Sequence, residues 1–320
     1  MRVGIIGVGA VGTSCAKAML LRGSCLEIVL IENDDAQSQK RAAGVAADLS
    51  HGAVLCAPMR IWAGGYEDIA EAGIIIITAG INERTGKAID RNDPRGRLLL
   101  LPENASIYKH IIPRITKVNT HAVILVVTDP PDPLADIARQ LAPTNPVISS
   151  GTYLDTLRFR IQLAKQLECY PGSVEAFVIG EHGTSQVYVW SSARIGGESI
   201  LAHAARMAQE AKKDWDENAF QAIVEHDVKF ANISIIEGTG ASQHGIGIVT
   251  ARLVEAMVRD EGFIAPVGVF QVQFKTTLSV PSVIGKGGVT KVLTPSLSAE
   301  ESDKLAKSAI VIREALDKLN

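Results

Sequence analysis

Apolar positions in the first half of this chain fall into two alternating kinds of run. Short blocks, at Arg2–Ile6, Leu26–Ile31, Ile74–Thr78 and Ala122–Val127, carry polar residues only at or next to their ends, leave no alternating polar face, and read as strands buried on both sides. Arg60–Ala63 and Val147–Ser149 read as shorter strands. Between them lie stretches with helical spacing: Ala10–Leu21, a helix capped by Asp34 and Asp35 and running to about Ser50, a short one over Tyr66–Glu71, and one opening at Arg97 and running to about Lys117. Repeated strand–helix units predict an α/β fold, a Rossmann-type doubly wound parallel sheet with ligands beyond the carboxyl ends of its strands.

From about Gly151 the pattern changes. Leu154–Leu167 reads as a helix, Val174–Ile179 and Gln186–Trp190 as strands, and Asp214–Ile236 and Ile246–Arg259 as long helices. Val267–Val272, Leu278–Ile284 and Val289–Leu293 predict an antiparallel meander, and Ser298 with Glu301 a capping box that starts the last helix. The expected division is a nucleotide-binding domain over 1–150 followed by an α+β substrate domain with an antiparallel sheet over 151–320.

The first strand runs directly into Gly7-Val8-Gly9-Ala10-Val11-Gly12 and then into a helix. A lone G-x-G-x-x-G carries little weight, but a strand before it and a helix after it make it a dinucleotide fingerprint. Gly7 permits the tight turn, Gly9 leaves the backbone open to a pyrophosphate, and Gly12 lets the helix lie close on the strand. Ala10 and Val11 begin the helix, whose free N–H groups and dipole favour phosphate. Glu32, 20 positions beyond Gly12, ends the second strand where a carboxylate would accept from a ribose diol. It would repel a 2′-phosphate, so the cofactor predicted is NAD rather than NADP. Thr78, Ala79 and Gly80, with Val127, end two further strands and complete the expected cofactor lining. Ile81–Gly96 is polar, of mixed charge, and contains Gly86, Pro94 and Gly96. A loop of that length in a compact domain is expected to be functional or mobile.

Composition narrows the class without choosing a chemistry. The chain has 320 residues, 47% hydrophobic and 21% charged, with formal net charge −3. No nucleic-acid or anionic membrane partner is expected from that balance, and no apolar run has the length of a membrane span. The opening strand leaves no room for a signal peptide, and Cys15, Cys25, Cys56 and Cys169 are scattered with no C-x-x-C pair. A cytoplasmic protein with reduced thiols and no metal site is therefore expected.

A bound nicotinamide needs a proton partner, and histidine is suited to it near neutral pH. Of seven histidines, His182 lies between Glu181 and Gly183 at a strand end. Asp155 is the candidate to orient it. Arg158, three residues on, shares a helical face with Asp155 and would hold a carboxylate bidentately. By spacing alone, D-x-x-R also suits a surface ion pair.

Taken with those residues, the stretches Leu30-Ile31-Glu32, Ile77-Thr78-Ala79-Gly80, Leu154–Arg160, Gly180-Glu181-His182-Gly183 and Leu278-Ser279-Val280-Pro281 make the chain resemble the L-lactate/L-malate dehydrogenase family from end to end. The resemblance implies hydride exchange between NAD and a small 2-oxo/2-hydroxy acid. His182 would be the acid/base, Asp155 the stabiliser of its imidazolium and Arg158 the carboxylate grip. Arg97, with Arg95 and Arg91 as fallbacks, would be the carbonyl-polarising arginine that arrives when the loop closes. Ser242 is expected on the substrate side, and a homo-oligomer, dimer or tetramer, in solution.

Three departures bear on the substrate. The 81–96 loop is longer than the family's usual one, and the family's specificity position falls on Glu83, where a carboxylate would repel the second carboxylate of oxaloacetate. Arg84, Lys87 or Arg91 could fold into the pocket in its place, and a longer loop could admit a bulkier acid. Asp129 stands where the family has an asparagine, and an ionised carboxylate can only accept hydrogen bonds. A carboxyl that keeps its proton through burial, an unusual substrate and weak turnover all remain open. Glu175 stands where a phosphate-binding histidine would partner Arg160, so activation by fructose 1,6-bisphosphate is not expected. A lactate-type dehydrogenase is the leading expectation. Malate dehydrogenase and an NAD-binding protein of lost or weak catalysis are the alternatives.

Overall fold

A computed structural model describes residues 1–319. The alternating first half builds six parallel strands, β1 (Arg2–Ile6), β2 (Glu27–Ile31), β3 (Arg60–Ala63), β4 (Ala72–Ile77), β5 (Val123–Val126) and β6 (Val147–Ser149). Their spatial order is β6-β5-β4-β1-β2-β3, so the winding reverses between β1 and β4 and opens a crevice at their carboxyl ends. Helices α1 (Ala10–Arg22), α2 (Ala36–Ala53), α3 (Leu101–Val118) and α4 (Pro131–Leu141) cover the faces.

Consecutive residues of each strand serve opposite cores, which is why the runs are continuously apolar. Ile74 and Ile76 pack with Val3, Ile5 and Met19 on one side, and Ile75 and Ile77 pack with Tyr108, Ile112 and Leu134 on the other. The side chain of Asp35 caps α2, accepting from Gln37 and Ser38 N–H at 3.1 and 2.9 Å. Gly23, at φ 61°, ends α1 in the left-handed conformation that favours glycine.

The second half contains α5 (Tyr153–Gln166), then β7 (Val174–Glu175), β8 (Val178–Ile179), β9 (Val187–Tyr188), β10 (Arg194–Ile195) and β11 (Glu198–Ser199), then helices α6 (Ile200–Glu210), α7 (Glu217–Lys229), α8 (Ala231–Thr239) and α9 (His244–Val258). The chain closes with β12 (Phe263–Gln271), β13 (Thr276–Gly285), β14 (Gly288–Val292) and α10 (Ala299–Asp317), whose first turn carries the Ser298–Glu301 capping box.

Several boundaries differ from the sequence expectations. The expected 174–179 strand is two short strands in different small sheets, and the expected 186–190 strand shortens to β9. The expected helix over 214–236 is two helices broken at Phe230. One of them buries Val224 and Val228 beside α5, and the other turns Asn232, Ile233 and Ile236 inward. The meander starts at Phe263 and is not a separate sheet: Gly268 pairs with Ser149, extending the parallel sheet to nine strands. Among the described residues no helix is long and apolar enough to cross a membrane.

Candidate active site

The crevice beyond β1 and β4 holds two adjoining cavities. One begins at the glycine turn. Gly7 has φ 97° with the Ala79 backbone against it, and Gly12 sits so near Gly7 and Thr78 that a Cβ there would lie 2.8 Å from Thr78 Oγ1. Gly9 differs: a Cβ built on it meets nothing within 4 Å, so its glycine faces open space at the start of α1. No side chain caps that helix, leaving the N–H groups of its first turn for an anion. Glu32 is buried at the far end, its Oε1 accepting from Val8 N–H at 2.7 Å and pairing with Arg41 Nη2 at 2.7 Å. Its Oε2 meets only Asn33 N–H, at 3.3 Å. Gly7, Gly9, Glu32, Thr78, Ala79 and Gly80 line this cavity together with Asn33, Arg41, Tyr66, Ile107 and Ile111. The last five lie on four different stretches of the chain and share no motif.

The second cavity is lined by Gly9, Ala10 and Val11, by Thr78, Gly80 and Val127, and by every residue expected to touch substrate: Glu83, Arg97, Asp129, Arg158, His182 and Ser242. Asp155 lies immediately behind it. Gly12, the remaining cofactor-side expectation, is buried beneath the turn and positions it without lining either cavity. Arg97 falls in a short 3-10 turn (Gly96–Leu100) rather than in the following helix.

α5 presents Asp155 and Arg158 on one face, and the β8–β9 connection brings His182 to meet them. His182 Nδ1 is hydrogen-bonded to Asp155 Oδ2, while Asp155 Oδ1 accepts from Arg158 Nη1 at 2.9 Å. The backbone N–H of His182 donates to Asp132 Oδ2 at 2.7 Å, and Ser149 Oγ donates to Asp132 Oδ1 at 2.7 Å. Asp132 was not singled out from the sequence. It follows Asp129-Pro130-Pro131 at the start of α4, and the structure buries its carboxylate fully under the histidine. Both anchors leave His182 Nε2 as the ring edge that faces the cavity.

Burial alone would discharge His182. The Asp155 carboxylate outweighs it and holds the imidazole above its ordinary pKa. Burial likewise opposes ionisation of Asp155, yet His182 and Arg158 together keep its carboxyl well below the usual carboxylate range. Burial raises Asp132 to about 6 in spite of the hydrogen bonds it accepts from His182 N–H and Ser149.

The facing wall is built by the 81–96 loop. Asn104 pins its start, accepting from Ile81 N–H at 2.8 Å and donating to the Asp129 carbonyl at 2.7 Å. Arg91 ties its middle to Glu237 of α8 at 2.6 Å, and Thr184 Oγ1 donates to the Pro94 carbonyl at 2.7 Å. Arg91 and Arg95 are thereby occupied outside the cavity, Arg95 by Asp93 at 2.7 Å. Arg97 alone of the three enters it, with Nε 2.8 Å from Asp129 Oδ2, although the N–H is not aimed at that oxygen. Asp129 Oδ1 is also 3.6 Å from His182 Nε2. Burial, and then Asp129, raise the Glu83 carboxyl above the ordinary range, with Arg97 opposing. Among the described residues no group of three or more histidine, cysteine, aspartate or glutamate side chains could hold a metal ion.

The family model described as the lactate/malate dehydrogenase NAD binding domain matches residues 1–148, and that of the lactate/malate dehydrogenase alpha/beta C-terminal domain matches 152–320. The chain is 39% identical over 313 residues to an L-lactate dehydrogenase of Deinococcus radiodurans, spanning 98% of this chain and 97% of that one. It is 37% identical over 325 residues to an L-lactate dehydrogenase of Thermus aquaticus, spanning 100% and 99%. Among solved structures, a minor L-lactate dehydrogenase from Enterococcus mundtii in its ligands-bound form superposes with TM-score 0.87 at 30% identity, covering 100% of this chain and 98% of the other.

Proposed function

The chain belongs to the lactate/malate dehydrogenase family, and from that premise we propose that it reduces a small monocarboxylic 2-oxo acid, such as pyruvate, to the L-2-hydroxy acid with NADH. The observation that carries this reading is the Asp155–His182–Arg158 constellation opening into the same cavity as the glycine turn.

NAD fits the cavities: open space at Gly9, an uncapped helix start, and a buried carboxylate with an oxygen available to a ribose diol. Gly9, Ala10 and Val11 would hold the pyrophosphate, Glu32 the adenosine ribose, and Thr78, Gly80 and Val127 the nicotinamide half. Bound NADH supplies the hydride, which must be matched by one proton to the carbonyl oxygen. His182 carries that proton on Nε2, because Asp155 takes the Nδ1 side and stabilises the imidazolium. Arg158 keeps its remaining N–H groups for the substrate carboxylate and so orients the 2-oxo group. Arg97 places a guanidinium beside the oxygen that becomes negative during reduction. In oxidation the roles reverse, and neutral His182 takes the hydroxyl proton.

A dicarboxylate would meet Glu83 and Asp129, so oxaloacetate is the poorer substrate, and the reading is lactate-type rather than malate-type. NADH oxidation followed at 340 nm with pyruvate, oxaloacetate, phenylpyruvate and branched 2-oxo acids tests it. A monocarboxylate should lead the panel. Preference for oxaloacetate would overturn the substrate order, and turnover of none would overturn the enzyme reading in favour of an NAD-binding protein that has lost catalysis.

A further inference from the structure

The Arg97 side of the active-site cavity holds more acid than base. Arg158 pairs with Asp155 and keeps its other N–H groups for a substrate carboxylate, Asp155 also holds His182, and Asp129 lies against Arg97. Glu83 remains. Its carboxyl shares this wall with Asp129 and Arg97, and among the described residues it has no ion pair of its own. The loop that carries Glu83 is rich in bases, yet none of them enters the cavity. Arg84 and Lys87 are exposed and Arg91 is held by Glu237, whereas Glu83 lines the wall. The loop therefore directs an acid inward and its cations outward, the reverse of a pocket built for an anionic side chain.

We propose that the preferred substrate is a 2-oxo acid whose side chain ends in a cation, an ammonium or guanidinium group, received by Glu83. This rests on the 2-oxo acid reductase reading above. With such a substrate the charges in the cavity balance: Arg158 and His182 against Asp155 and the substrate carboxylate, Arg97 against Asp129, and Glu83 against the substrate cation. With a neutral side chain Glu83 is left beside Asp129 without a counter-charge. An added negative charge is repelled twice.

The test compares 5-guanidino-2-oxopentanoate with 2-oxohexanoate, an uncharged acid of similar length, and with pyruvate, each with NADH. The kcat/KM of the guanidino acid should exceed that of 2-oxohexanoate by about tenfold or more, two hydrogen-bonded charges against none. That ratio should rise with pH in the unaltered protein, as Glu83, held above the ordinary carboxylate range, releases its proton. Glu83→Gln should collapse it towards one and remove its pH dependence. The ratio is read within each protein, so a general loss of activity in the variant does not disturb it. Pyruvate turnover with no advantage for the guanidino acid, or an advantage surviving Glu83→Gln, overturns this proposal and leaves the reductase reading intact. Turnover of none of the three overturns both.

Discussion

Replacing Asp155 by asparagine removes one charge from the buried Asp155–His182–Arg158 row and leaves its shape nearly unchanged. Unit charges about 4 Å apart attract by about 4 kcal/mol at an effective dielectric near 20. Allowing for an asparagine carbonyl that still accepts from Nδ1, about 3 to 4 kcal/mol of imidazolium stabilisation is lost, or about 2 to 3 pKa units at 1.36 kcal/mol each. Reduction consumes the imidazolium, so activity is present below the pKa of His182 and is lost as pH rises through it. Asp155 now holds that pKa above the ordinary histidine value. In Asp155→Asn, burial and Arg97 act against the imidazolium with Asp129 alone favouring it, and bring that pKa below. Pyruvate reduction at pH 7.5 should therefore fall about 100- to 1,000-fold, the alkaline limb of the kcat profile should move at least about 2 units toward acid, and low pH should restore part of the rate. Steady-state assays from pH 4.5 to 9, with NADH affinity measured by fluorescence quenching, read all three. A variant within about fivefold of the parent, with its alkaline limb unmoved, would refute the assignment of Asp155 as the imidazolium's partner.

Three further perturbations probe other parts of the site. Gly9→Ala meets no protein atom within 4 Å, so the melting temperature should stay within about 2 °C while the Kd for NADH rises at least about tenfold; an unchanged Kd in calorimetry would place the pyrophosphate elsewhere. Glu32→Gln removes the charge that repels a 2′-phosphate, and the NADPH-to-NADH ratio of kcat/KM should rise about tenfold or more; a ratio unmoved in initial-rate assays would deny Glu32 its role in cofactor choice. Arg160 is engaged with the Ala176 carbonyl at 2.9 Å, and Glu175 lies exposed on the neighbouring strand, so fructose 1,6-bisphosphate should change the pyruvate reduction rate by less than about twofold, since a carboxylate disfavours phosphate binding; a large response would contradict that.

The parallel sheet was legible because strands buried on two faces must be continuously apolar, and Ile74–Ile77 admits no other reading. The Asp155–His182–Arg158 row was legible for a different reason: Asp155 and Arg158 are joined by helical spacing, and His182 stands in a distinctive glycine-containing turn. Spacing by itself did not distinguish that row from a surface ion pair; its burial in a shared cavity does. Less could be read where partners come from distant elements. The α7–α8 break depends on what each half packs against, and a single apolar period runs through both. Asp132 and Asn104 act on backbone groups, His182 N–H and the Ile81 and Asp129 peptides, and that kind of contact leaves no pattern in side-chain order. The direction of Glu83 was equally hidden, because four charged loop residues competed for the same wall until the structure turned three of them outward.

In the proposed reaction this cavity passes a hydride from NADH to the 2-carbon of a 2-oxo acid while His182 supplies the proton. Incubating the purified protein with pyruvate and NADH deuterated at carbon 4 of the nicotinamide, on both faces, and examining the product by proton NMR tests that step directly. The predicted product is L-lactate carrying deuterium at carbon 2, formed by the parent and lost in His182→Asn while NADH still binds. NADH bound by the parent with no deuterated 2-hydroxy acid formed, from pyruvate or from any acid of the panel, would contradict it.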